Sequence, residues 1–314
     1  MRTIVPDPVA RALIEAARLP NERRLANDPV RLARSYEDPA DREVAALVAA
    51  LLAFGSVRAF LPKTASILAL MGRSPRAYVL RYRPSMDRRF FAAFRSRIYT
   101  GDDVRLLLLH TGDILRAHGT LEDAFLSLSG ESGRALHRAR LERFASLFWT
   151  RDPASITGTS RLSRGYRHLV ADPARGGASK RWNLFLRWVV RPDDGVDLGV
   201  WKRVDPADLV IPLDIHVGRI SLLIGLRRRR TTDWKAAEEV TRALLVVDPR
   251  DPVRFDFPLS HIGISERCRG RWVPPICGAC SIAPICRVAR RQDARNGKRT
   301  PLRAGPALSG GGPE

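Results

Sequence analysis

Lysine is nearly missing from this chain: of its 54 basic residues only five are Lys (63, 180, 202, 235 and 298), and the other 49 are Arg. Acids are also short, 33 against 54 bases, which leaves a net charge of +21. Such an imbalance says nothing of the fold but calls for a polyanionic partner. Long apolar runs are absent; the longest, Val44 to Phe54, spans eleven residues, about half of the ~20 needed to cross a bilayer. No membrane association is expected. Near the N-terminus Pro6, Asp7, Pro8 and Glu15 stand where a signal peptide needs an apolar stretch, so a cytoplasmic location is expected, which with a DNA partner would be at the nucleoid. Cysteine is limited to four residues, too few and too clustered for a disulfide scaffold. What is present is ordinary globular material, 45% hydrophobic and 28% charged over 314 residues, enough for one large or two modest domains.

Helical periodicity dominates. Asp38, Pro39 and Asp41 precede Glu43–Phe54, whose apolar face is too wide for a surface helix and reads as a buried core helix. Helices are predicted over Val57–Met71, Asp103–Ala117, Leu121–Leu128, Ser132–Thr150, Lys180–Val190, Asp214–Leu226 and Trp234–Val246. Tyr78–Tyr99 mixes six Arg with Phe90, Phe91 and Phe94 and reads as a basic helix with an aromatic seam. Arg151–Gly177 is loop-rich. No alternating pattern supports a sheet, so the predicted fold is all-α. The tail, residues 288–314, is basic and reads as disordered.

The four cysteines, Cys268, Cys277, Cys280 and Cys286, lie within nineteen residues as C-x8-C-x2-C-x5-C. Four thiolates so spaced suit a tetrahedral zinc or a cubane iron–sulfur cluster, with unmetallated thiols as the remaining alternative. Zinc sites usually come as two CxxC knuckles; one CxxC followed by a lone Cys leans to iron–sulfur.

Four segments resemble the helix-hairpin-helix DNA glycosylases related to endonuclease III. The last three cysteines and Pro275-Ile276-Cys277-Gly278-Ala279-Cys280 are similar to that family's C-terminal [4Fe–4S] loop, with eight residues in place of six in the first interval. Pro212-Leu213-Asp214-Ile215-His216-Val217-Gly218-Arg219-Ile220 resembles its Val-Asp-Thr-His-Val-x-Arg-Val segment, and Gly177-Ala178-Ser179-Lys180 the context of the lysine in bifunctional members. Glu43 to Leu52 is similar to a helix of the family. The chain also resembles a bacterial family of this size, without an assigned function, around Lys180–Arg191 and Ile211–His216. The departures are equally specific. The Leu-Pro-Gly-Val-Gly hairpin is replaced by Leu169–Gly177, Gly55 stands near the position of the Gln that fills the hole left by a flipped base, and the interval from Lys180 to Asp214 is longer than in endonuclease III.

The resemblance implies a two-lobed helical glycosylase fold: a barrel lobe over residues 36–190, and a second lobe from residues 1–35 with 191–287 that ends in the cysteine loop. It implies a monomer acting on double-stranded DNA, with a flipped base in the cleft. Asp214 would be the carboxylate that stabilises charge on the sugar, and Lys180 the amine that attacks C1′. The bland readings stand beside these: an Asp after Pro at a helix start is what an N-cap looks like, and Lys180 is in a first helical turn. His216 is expected to be structural, and Trp182, Phe185 and Trp188 to be core packing. Arg227, Arg228, Arg229 and Arg230 after a helix, with Arg267, Arg269 and Arg271 around the cysteines, are the expected phosphate contacts. A non-catalytic iron–sulfur nucleic-acid-binding protein is the rival expectation.

Overall fold

The computed structural model describes residues 5–18, 22–26, 28–131, 133–150 and 152–296. The helices run in order α1 (Asp7–Arg18), α2 (Glu22–Leu25), α3 (Val30–Arg34), α4 (Pro39–Leu52), α5 (Val57–Met71), α6 (Pro75–Arg81) and α7 (Arg88–Ala93). After a hairpin of β1 (Arg95–Ser96) and β2 (Tyr99–Thr100) come α8 (Gly101–His118), α9 (Leu121–Leu126), α10 (Arg134–Ser146), α11 (Ala154–Thr157), α12 (Arg164–Leu169) and α13 (Lys180–Val190). The chain continues through α14 (Ile215–Ile224), α15 (Trp234–Val247), α16 (Asp256–Ile264), α17 (Pro274–Cys277) and α18 (Arg287–Arg295). The fold is all-α apart from that short hairpin. Among the described residues no helix is long and apolar enough to cross a membrane.

Two helices form the centre. α4 starts on Asp38, whose carboxylate accepts from the Ala40 amide at 2.7 Å, with Pro39 preset for the first turn. From Val44 to Leu52 every residue is buried, as its all-round apolar sequence requires. α13 packs against it and is buried from Trp182 to Val190. Trp182, Phe185 and Trp188 are core residues: Trp182 lies 5.7 Å from Phe144, and Phe185 lies 5.4 Å from Trp201. α8 carries a Thr100/Asp103 capping box and crosses α6 closely. A Cβ at Gly112 would sit 2.2 Å from the Val79 carbonyl oxygen, so only glycine permits that crossing.

Two expectations fail here. Tyr78–Tyr99 is not one helix: α6 ends at Arg81, Asp87 takes a left-handed conformation (φ 52°), α7 is six residues long, and the chain turns back through the hairpin. Its register is Arg95 with Thr100 and Ser96 with Tyr99, leaving Arg97 and Ile98 at the tip. Two-residue strands are too short to show alternation. The expected disordered tail is helical over Arg287–Arg295; its remainder, from residue 297, lies outside the described residues.

Charge is buried as well as apolar surface. Arg187 bridges Asp197, at 3.0 Å, and Asp256, while Arg191 bridges Asp197, Asp194 at 3.0 Å and Asp251 at 2.9 Å. Arg187 and Asp197 are almost completely shielded from solvent. The network ties the end of α13 to the segment after it and to the start of α16.

Candidate active site and cysteine pocket

The turn into α13 sets the position of Lys180. Gly176 (φ 77°) and Ser179 (φ 48°) both take left-handed conformations, and Lys180 is the first helical residue. The neighbouring Arg181 is a clamp that the sequence did not reveal. Its buried guanidinium donates to the Leu51 carbonyl at 2.8 Å, to the Tyr99 hydroxyl and to the His168 carbonyl, fastening the start of α13 to the end of α4, the hairpin and α12. Tyr99 and His168 are joined at 2.8 Å. Burial first, then the cations Arg181 and Arg164, push the His168 imidazole down to about 4, which keeps it neutral at physiological pH.

Asp214 is the N-cap of α14. Its Oδ1 accepts from the amides of His216 and Val217, both at 2.8 Å. That leaves Oδ2, and Oδ2 lies 3.7 Å from Lys180 Nζ. Capping and a role in the site are therefore not alternatives, because each oxygen serves one of them. The ammonium is about one-third exposed and the carboxylate mostly covered. Ile215, next to Asp214, is 71% exposed, unusual for a large apolar side chain. His216 meets Arg219 at 3.0 Å through Nδ1; burial lowers its pKa, against the pull of Asp214.

The expected arginine contacts divide. Arg228, Arg229 and Arg230 are exposed, as are Arg267, Arg269 and Arg271. Arg227 is not a surface residue. It is 3% exposed, donates from Nε and Nη2 to the Gly218 carbonyl at 3.0 and 2.8 Å, and from Nη1 to the Thr231 carbonyl at 2.6 Å. The absence of a side chain at Gly218 admits it, since a Cβ there would stand 2.8 Å from Arg227 Nη2.

The four cysteines line one pocket, together with Leu223 of α14, Ile276, Ile282 and Val288. None is in a disulfide. Val273 donates its amide to Cys277 Sγ at 3.4 Å. Burial pushes the Cys280 thiol up to about 11, with nearby Glu266, Cys268 and Cys286 adding to the rise. A thiol held protonated in this way is one that a bound cation would favour as thiolate. Among the described residues no three His, Cys, Asp or Glu side chains converge as ligands of one metal ion.

The segment between α12 and α13 lacks the regular glycine spacing of a phosphate-gripping hairpin. Several of its amides are instead engaged by the protein: Val170 donates to the Tyr166 carbonyl at 2.9 Å, Ala174 to Asp172 Oδ1 at 2.9 Å and Gly176 to the Pro173 carbonyl at 3.1 Å.

Residues 28–265 match a family described as a protein of unknown function (DUF2400), and the chain belongs to that family. Lys180, Asp214 and the buried ion network lie inside the matched span; the four cysteines lie beyond it. No curated protein and no solved structure matches the chain.

Proposed function

We propose that the protein is a DNA base-excision glycosylase of the helix-hairpin-helix type, acting as a monomer on double-stranded DNA in the cytoplasm, at the nucleoid. The observation that carries this reading is the 3.7 Å approach of Lys180 Nζ to Asp214 Oδ2, which unites two helix starts far apart in sequence. A target nucleotide extruded from the duplex would present its C1′ to the Lys180 amine. The N–C1′ bond forms as the bond from C1′ to the base breaks; the electron pair leaves on the base, which takes up a proton. Asp214 Oδ2 faces the positive charge that develops on the sugar. Opening of the sugar ring then yields a Schiff base that borohydride reduces.

The exposed Arg228–Arg230 and Arg267, Arg269 and Arg271 supply the phosphate contacts. What supports a [4Fe–4S] group is that the four cysteines line one pocket, that its donors are all sulfur and that one sulfur already accepts a backbone amide. Zinc is the alternative occupant. Cys268, Cys277, Cys280 and Cys286 would hold the group, whose contribution is to order the loop and not to react with substrate.

The test is borohydride trapping on duplexes carrying 8-oxoguanine, uracil, thymine glycol, mismatches or abasic sites. An adduct with wild-type protein that is lost in Lys180→Gln, with DNA binding intact, is the expected result. Iron and sulfide near four each per chain are expected in anaerobically purified protein; stoichiometric zinc without sulfide overturns the cluster assignment. The engaged amides and missing glycine spacing of the α12–α13 segment favour a second reading, a non-catalytic nucleic-acid-binding protein. Binding without base release on any of these duplexes would establish it.

A further inference from the structure

One buried acid close to the site has no part in this scheme. Asp256, the first residue of α16, is 3% exposed. Its Oδ2 pairs with Arg187 Nη1, and its Oδ1 has no hydrogen-bond partner. A buried, half-satisfied carboxyl is a costly arrangement in a core that otherwise pairs its charges.

α13 connects this carboxyl to the candidate site. Lys180, Asn183 and Arg187 are spaced by three and then four, which places them on one face of the helix. Lys180 at the start of that stripe reaches Asp214, and Arg187 near its end reaches Asp256. Between them Asn183 is buried and its Oδ1 is likewise unpartnered. The charged groups acting on Asp256 are Arg187 and Lys180 from α13 and Asp214 from the N-cap of α14. Asp197 and Arg191 are reached through Arg187, and His261 on α16 faces Asp28, at 3.8 Å. Burial pushes Asp256 up to about 7; Asp214 adds to the rise, while Arg187 and Lys180 oppose it.

We propose that Asp256 is a positioning residue for the Lys180–Asp214 pair: its carboxyl takes up and releases a proton on the buried side of Lys180 and so sets how readily that ammonium becomes a free amine. The functional meaning rests on the reading of Lys180 as the nucleophile. Ionised, Asp256 adds a second negative charge to that of Asp214 and holds Lys180 as ammonium. Protonated, it removes that charge and eases loss of the proton from Nζ, while Asp214 Oδ2 is still present to face the sugar.

The scarcity of lysine makes this measurable without substrate. In full-length protein labelled at 13Cε of lysine there are five lysine signals, and Lys180→Arg assigns the relevant one. In wild type the Lys180 signal is expected to show an inflection near pH 7 besides its own titration. His216, whose pKa burial lowers, is a second titratable group beside the pair, so the inflection should persist in His216→Gln. It should vanish in Asp256→Asn, where the titration of Lys180 itself moves down because an opposite charge is gone. Absence of the inflection in wild type, its loss in His216→Gln, or its survival in Asp256→Asn overturns the proposal. Should Asp256→Asn not fold, because Arg187 loses a partner, the wild-type and His216→Gln titrations decide alone. An inflection that behaves as expected in a protein that traps no DNA upholds the coupling and removes only the glycosylase reading.

Discussion

Replacing Asp214 separates its two oxygens. Asn retains an oxygen for the His216 and Val217 amides, so the cap survives, but it puts a neutral NH2 group where Oδ2 faces Lys180. Ala removes both. Since Asn caps about as well as Asp, Asp214→Asn should cost no more than ~0.5 kcal/mol of stability, and Asp214→Ala about 1–2 kcal/mol, the upper part of the range for caps, because two amides at 2.8 Å lose their acceptor in a largely covered site. The chemical effect should rank differently. Both variants lose the charge that opposes the developing cation, and single-turnover borohydride trapping should fall by about 10²–10³ in each, the scale on which one preorganised electrostatic contact acts. Urea unfolding and trapping on the same preparations therefore give two different orders. If Asp214→Asn traps as fast as wild type, the carboxylate is a cap and nothing more. If it unfolds as easily as Asp214→Ala, the division of labour between the two oxygens is wrong.

Arg187→Met should destabilise the protein by about 3–5 kcal/mol, read by urea unfolding, because Asp197 and Asp256 are left buried without their shared cation; a change below ~1 kcal/mol would mean that the network relaxes to other partners. Arg227→Ala should lower stability by about 2 kcal/mol through lost charged hydrogen bonds to Gly218 and Thr231, and leave the salt dependence of DNA binding as it was. Replacing Arg228, Arg229 and Arg230 together by Ala should do the opposite, with stability unchanged and the log–log salt slope shallower by up to about 2.7 if each neutralises a phosphate. A salt slope that responds to Arg227 and not to its three neighbours would refute this division.

Much of the architecture was legible because helix starts carry their own chemistry. α5 and α13 begin and end where periodicity placed them, and Asp214 caps α14 as an Asp after Pro at a helix start should, whereas the proposed roles of Lys180 and Asp214 came from the glycosylase resemblance. Other features were hidden for physical reasons. A run of four arginines reads as a solvated patch, and only the bare Cα of Gly218, brought close by the fold, makes room for the first of them. Arg181 reads as a charge beside the candidate nucleophile, whereas its role depends on carbonyls at Leu51 and His168, which no local pattern announces. Arg187 did leave a trace: a cation two turns beyond Lys180 on the same face of α13, among apolar residues, needs a buried partner, although sequence could not say which acids would supply it.

The geometry also relates the two features that sequence treated separately. α14 has Asp214 at its N-cap, while Leu223, near its other end, lines the cysteine pocket. Ten residues span about 15 Å. At the far end Arg287, which follows Cys286 and opens α18, approaches Gly225, the C-cap: a Cβ on that glycine would lie 3.2 Å from its guanidinium. A cation there complements the negative end of the helix dipole, as the Asp214 carboxylate complements the positive end. At the near end, the packing of Gly263 against His216 is so close that an added Cβ would stand 2.4 Å from the ring, which fixes the first turn against α16. The helix that presents the carboxylate is thus pinned at its start by α16 and at its end by the cysteine loop and α18. Because the start has its own anchor, order in the cysteine pocket bears first on the C-terminal turn of α14 and on the basic surface around it, and only then on Asp214. That arrangement suits a structural part for the pocket and leaves the proposed chemistry to the residues of α13 and the Asp214 cap.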